Sequence, residues 1–135
     1  MAKNTIKLKK YSDVIEEFVA GDEITPGMLV ALNASGVVIP HGTAAGNAIP
    51  MFALEDELQG KTIDDAYAKG SPVQVWVAGR GDIVNAIAGD TITAGDFLVS
   101  AGNGTLKPAG SGTTAIIGQA ISAKDASGRV KVRII

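Results

Sequence analysis

Gly21-Asp-Glu-Ile-Thr-Pro-Gly27 and Gly89-Asp-Thr-Ile-Thr-Ala-Gly95 are two versions of one heptapeptide, set 68 residues apart. The correspondence runs on without a gap through Gly36/Gly104, Pro40/Pro108 and Gly42/Gly110. Residues 21–42 and 89–110 share eight identities in 22 pairs, and Leu29/Phe97 and Val38/Leu106 add apolar agreement. Each copy leads into an apolar stretch, residues 48–54 and 115–121. Each then reaches an alternating strand, Val73-Gln-Val-Trp-Val77 or Arg129-Val-Lys-Val-Arg-Ile134.

One copy translates directly into structure. Gly-Asp-x-Ile-Thr-x-Gly reads as turn, short extended segment and second turn, before a strand over 28–32 or 96–100. Asn33-Ala-Ser-Gly36 and Ala101-Gly-Asn-Gly104 then read as hairpin turns, whose glycines reach positive φ without steric cost. Period-2 alternation gives the strands at Val73–Val77 and 129–134 one buried face each. The expected fold is all-β: two related units, residues 21–54 and 89–122, inside one domain spanning 12–135. Neither unit could cover its apolar face alone, so the halves should join as a small barrel or sandwich, with edge pairing between them.

Between Leu54 and Val73 the first half carries an insertion. Thr62 with Asp65 forms a weak capping box, residues 66–69 favour helix, and Gly70 stands where a terminating glycine would, so one short helix is expected there. Residues 12–20 fit either period. Residues 1–11 alternate Ile6 and Leu8 with lysines but have no hairpin partner in reach, so they read as an extended N-terminal arm that orders only against something else.

Composition narrows the function. Of 135 residues, 46% are hydrophobic, yet only six are aromatic and 17 are glycine, which suits short strands and tight turns rather than a helical bundle. With no cysteine, disulfide scaffolds, zinc ribbons and thiol nucleophiles are excluded. No apolar run reaches the ~18 residues of a membrane span, and residues 1–10 lack the apolar core of a signal peptide. The net charge of −2 is unevenly spread: +4 over residues 1–10, −9 over 11–123 and +3 over 124–135. A basic arm on an acidic body suggests electrostatic docking to a partner, while four lysines without interleaved aromatics are a thin basis for nucleic-acid binding.

Site chemistry is sparse. His41, the single histidine, sits in a Pro-His-Gly turn and reads as solvated. Glu55-Asp-Glu57 and Asp64-Asp65 lack the alternate-position spacing of a calcium loop. Asp22 and Asp90 recur in the repeat, where each can bond nearby backbone N–H groups, and that explains them better than a two-carboxylate active site. Arg80-Gly-Asp82, the tripeptide read by adhesion receptors, and the sequons at Asn33 and Asn103 read as coincidences of a glycine-rich chain. Gly102–Gly104 and Gly110–Gly112 complete neither a P-loop nor a dinucleotide fingerprint. Trp76 faces away from Val75, toward a core or a neighbouring subunit. No enzyme, cofactor or metal is expected.

Several segments together resemble the capsid decoration (cement) proteins of tailed bacteriophages: the basic N-terminus, Asp13-Val-Ile-Glu-Glu17, Ile24-Thr-Pro-Gly-Met-Leu-Val30, and Phe52-Ala-Leu-Glu-Asp-Glu57. So do Arg80-Gly-Asp-Ile-Val84, residues 95–106 and Gly128-Arg-Val-Lys-Val-Arg-Ile134. The resemblance implies a small β-tulip-like protein, made in the host cytoplasm, that sits as a homotrimer on the outer surface of the expanded head. There it would bridge and stabilise major capsid subunits. It also implies that residues 1–11 are the capsid-binding arm, with Ile6 and Leu8 packing and Lys3, Lys7, Lys9 and Lys10 meeting acidic capsid surface. Neither nucleic acid nor membrane is an expected partner. A second reading, a β-clip-type ligand- or carbohydrate-binding module, rests on similar Gly-Asp-x-Ile-Thr-x-Gly turns and would require a convergent polar pocket.

Overall fold

Turn chemistry and period-2 alternation cut the described residues into eleven short strands. The computed structural model describes residues 5–11 and 13–135. In chain order the strands are β1 (Lys7–Lys9), β2 (Ile15–Val19), β3 (Val30–Leu32), β4 (Val38–Pro40), β5 (Met51–Ala53) and β6 (Pro72–Val77). They continue as β7 (Ile83–Ile87), β8 (Phe97–Ser100), β9 (Leu106–Pro108), β10 (Gly118–Ala120) and β11 (Arg129–Ile134). The fold is all-β; one 3-10 turn at Glu57–Gln59 is its only helical element among the described residues.

Three sheets form. Six strands lie in the order β1-β7-β11-β10-β8-β9, three in the order β2-β6-β5, and β3 pairs with β4; all of these pairings are antiparallel. The sheets pack as a sandwich. No closed barrel forms: β1 and β9 end the large sheet, and β2 and β5 end the smaller one.

The strand registers of residues 15–77 and 83–134 correspond at fixed offsets. Ile15 opposes Trp76 where Ile83 opposes Arg133, and Val19 opposes Pro72 where Ile87 opposes Arg129. Val30 opposes Pro40 as Leu98 opposes Pro108, and Met51 opposes Val77 as Gly118 opposes Ile134. The parallel bridges Ala20–Val38 and Ala88–Leu106 correspond as well. The correspondence therefore reaches upstream of residue 21, into β2 and β7, which share only Ile15/Ile83 in sequence. Across the 54–72 connection the offset falls from 67 to 57, so the insertion adds ten residues.

The expected edge pairing between halves does not occur. Every ladder from β2 to β11 stays within its own half, and only β1 crosses, from the N-terminus to β7. The halves meet instead through a shared core. Leu29, Phe52, Leu54 and Trp76 from the first pack with Val84, Leu98, Leu106, Val130, Val132 and Ile134 from the second. A second cluster lies on the other face of β6, where Val73 and Val75 meet Ile24, Val30, Val38 and Tyr67. Strand β6 is thus covered on both faces, which explains why Trp76, facing away from Val75, is also fully buried.

The short helix expected after Thr62 is absent. Its capping contact forms, with Thr62 N–H and Oγ1 donating to the Asp65 carboxylate at 2.7 and 3.1 Å. The backbone N–H of Tyr67 then goes to Ile24 C=O at 2.7 Å, and Ile24 N–H returns to Tyr67 C=O at 3.1 Å. A one-turn helix is marginal alone, and this tertiary bridge, with Ile63 and Tyr67 buried, displaces it.

Candidate functional site

The reading of residues 1–11 as an extended arm that orders only against something else is corrected by the structure over residues 5–11. Ile6 is 0% exposed, one of the largest fully buried side chains, and belongs to the shared core. Its N–H donates to Glu55 Oε2 at 3.2 Å and its C=O accepts Asn85 N–H at 2.8 Å, while Asn85 Nδ2 donates to Thr5 C=O at 3.3 Å. Lys7 and Lys9 then pair with Val84 and Ile83. Period-2 alternation in Ile6-Lys-Leu-Lys was a real strand signal; its partner lies too far along the chain to be seen locally.

The remaining arm residues form a basic ledge. Leu8 is half-buried, Lys9 and Lys10 are exposed, and Lys3 lies outside the described residues. Lys10 Nζ stands 2.9 Å and Lys7 Nζ 3.7 Å from the Asp13 carboxylate. The hydrogen bond from Lys10, aided by both positive charges, holds that carboxyl below its usual range. Lys9 Nζ lies 5.5 Å from the centre of the Tyr11 ring, a cation–π distance. Beside this ledge the edge strand β2 and its approach carry Tyr11, Val14, Ile15 and Val19, all exposed. Sequence reasoning left residues 12–20 ambiguous and did not find these exposed apolar side chains; their exposure became assignable only once β2 was seen to end its sheet.

The other sequence candidates resolve individually. His41 is buried, not solvated as expected: Nδ1 lies 2.7 Å from Ser100 Oγ and Nε2 2.8 Å from Asn47 C=O. It is covered by the turn of the opposite half, which no local pattern reveals. Asp82 of the Arg-Gly-Asp triplet is also fully buried, and accepts N–H bonds from Gly79 at 2.7 Å and Tyr11 at 2.5 Å. Its carboxylate is turned inward and offers nothing to a receptor. Asp22 and Asp90 each accept the N–H of the next residue, at 2.8 and 2.7 Å, as turn residues do. No group of three metal-ligating side chains occurs among the described residues, and no helix there is long and apolar enough to cross a membrane.

A cleft of about 480 Å³, rimmed by charged and polar side chains over a largely apolar surface, lies between the insertion and β7–β11. At its wall the buried Arg129 donates to Ile63 C=O at 2.8 Å, and its guanidinium stands 3.9 Å from the Asp64 carboxylate. Burial lowers the Arg129 pKa, while Asp64, Asp125 and Glu55 oppose that shift. This arrangement ties the insertion down onto the second half.

No protein-family profile matches the chain, and no curated protein does. Among solved structures, the crystal structure of the head fiber gp8.5 N base from bacteriophage phi29 superposes with a TM-score of 0.65. The match covers 92% of this chain and 95% of that one, at 18% identity. The shared fold is that of a phage head-fiber base. The likeness to gp8.5 covers nearly all of both chains, so it concerns the whole arrangement rather than one hairpin.

Proposed function

We propose that this chain is a structural protein of a bacteriophage head, carried on the outer surface of the virion, where it decorates and stabilises the expanded capsid. One observation carries the reading: the end-to-end match in fold with a head-fiber base. In this proposal it binds major capsid subunits, assembles as a homotrimer and has the tulip-like architecture of decoration proteins, built by duplication of one β unit. The matching registers of the two halves support the duplication. Residues 12–135 act as the body, and the N-terminal segment contributes the docking ledge in altered form. Lys7, Lys9 and Lys10, with Leu8 and, in the proposal, Lys3, face the capsid beside Tyr11 and Val14, while Ile6 anchors the segment to the body's core.

The test adds purified protein to expanded heads assembled without it. Binding should saturate at a fixed number of copies per head, with density in threes on the outer surface. Replacing Lys9 and Lys10 with Ala should weaken attachment more at low salt than at high salt, because exposed charges are screened over ~8–10 Å at ordinary ionic strength. Heads that take up no protein, or take it up without saturating, would refute the proposal.

A further inference from the structure

Inside the chain, the hairpin tip of the second half is seated on the first half. Gly104 N–H donates to His41 C=O at 3.1 Å, and Gly104 C=O accepts Leu29 N–H at 2.9 Å. Ser100 Oγ meets His41 Nδ1, and Ser100 C=O accepts Ala45 N–H at 2.8 Å. A Cβ on Gly104 would stand 3.1 Å from Pro40 Cβ and 3.2 Å from Met28, so the tip fits closely. The contact buries what it touches: Leu29 is 0%, Ser100 2% and His41 5% exposed.

Shifting each residue by the offset between halves gives a second tip and a second socket. The tip is the β3–β4 turn, with Leu32 in the place of Ser100 and Gly36 in the place of Gly104. The socket has Phe97 in the place of Leu29, with Pro108 and Ala109 in the places of Pro40 and His41. The backbones agree: Asn33 N–H to Val37 C=O at 3.0 Å matches Ala101 N–H to Thr105 C=O at 2.8 Å. In the sockets, His41 N–H to Leu29 C=O at 2.9 Å matches Ala109 N–H to Phe97 C=O at 2.7 Å. Gly36 and Gly104 share φ near +80°. Yet this second pair is unused among the described residues. Leu32 is 50% and Phe97 52% exposed, nothing lies within 4 Å of a Cβ placed on Gly36, and a cleft of about 410 Å³ opens over Phe97, Pro108 and Ile116.

We propose that the β3–β4 tip of one copy seats in the Phe97–Pro108 cleft of a second copy, repeating between copies the contact that joins the halves within each. The two surfaces differ, so the contact is head-to-tail and must close into a ring or run on as a filament. The inference rests on the homotrimer proposed above and supplies its interface: a ring of three copies presenting six β units in alternation. Leu32, apolar where Ser100 is polar, suits the socket that has Ala109 in place of His41.

Two exposed positions make the test clean. Leu32→Asp blocks the tip, and Phe97→Asp blocks the cleft. Native mass spectrometry and light scattering should show the wild type as trimer and each variant alone as monomer, with an unchanged circular dichroism spectrum. An equimolar mixture of the two variants should form one-to-one dimers, because each supplies the surface that the other lacks. The chain has no cysteine, so Leu32→Cys copies mixed with Ala109→Cys copies should cross-link through a short bismaleimide. Trimers that survive both aspartates would overturn this interface while leaving the trimer in place. A wild type that stays monomeric, without the cross-link, at ~0.5 mM would overturn both, since mass action favours assembly there.

Discussion

Ile6→Ala should destabilise the isolated protein by about 2–5 kcal/mol, the range for truncating a fully buried aliphatic side chain in a packed core. The structure places the value in that range because Ile6 has no exposed surface and packs among side chains from both halves. The flanking bonds to Glu55 and Asn85 hold its backbone in place and limit collapse of the cavity. With a urea m-value of ~2 kcal/mol/M, the unfolding midpoint should fall by about 1–2.5 M. Total stabilities of ~5–15 kcal/mol are usual, so the variant folds at 25 °C unless the largest loss meets the smallest total. Lys9→Ala, on the same strand but exposed, serves as the control and should stay within ~0.5 kcal/mol of the wild type. An Ile6→Ala midpoint within ~0.3 M of the wild type would refute the reasoning, because at the m-value above that is well under 1 kcal/mol. The N-terminal segment would then be a free arm after all.

Further expectations test the comparison of halves and the insertion. Gly27 and Gly95 are equivalent and have φ of +93° and +94°, but a Cβ at Gly27 would strike the Arg129 guanidinium and stand 2.9 Å from Asn85 C=O, whereas at Gly95 it meets nothing within 4 Å. Gly95→Ala should therefore show only the ~1–2 kcal/mol conformational penalty, and Gly27→Ala clearly more, both read by urea unfolding. Burial raises the Tyr67 hydroxyl pKa to about 12, and that hydroxyl donates to Leu54 C=O at 2.6 Å. An unfolded tyrosine ionises near 10, so this group's contribution is intact below pH 10 and is lost as pH rises toward 12. Thermal unfolding followed from pH 9 to 12 should show a decline that Tyr67→Phe reduces; equal declines would refute it.

The turns at 21–27, 33–36 and their equivalents were legible because glycine at positive φ leaves a fixed mark on a sequence. They placed the β3–β4 and β8–β9 hairpins, though not their register: Leu32 pairs with Val38 and Ser100 with Leu106. What stayed hidden is non-local. Strand β1 pairs with residues more than 70 positions away, and the burial of His41 depends on a turn from the other half. The equivalence of β2 and β7 was invisible because Ile15-Glu-Glu-Phe-Val19 is exposed at a sheet edge while Ile83-Val-Asn-Ala-Ile87 lies between neighbours in a larger sheet. Different surroundings selected different side chains on the same backbone. The helix expected after Thr62 failed for the complementary reason: a correct local signal was outweighed by the bridge to Ile24.

The ten extra residues between β5 and β6 give this protein a natural grafting point. The second half closes the same β unit without them, and within the insertion the burial falls on Ile63 and Tyr67, while Glu57–Gln59 buries nothing and Leu58 is 86% exposed. A foreign peptide spliced between Leu58 and Gln59 would lengthen a loop whose ends are already held, and each doubling of loop length costs only ~0.6 kcal/mol of closure entropy. Every copy would then carry its passenger at the same place and at the same remove from the β sheets, which on the proposed trimer or capsid would make the chain a scaffold for ordered, multivalent display of epitopes or enzymes.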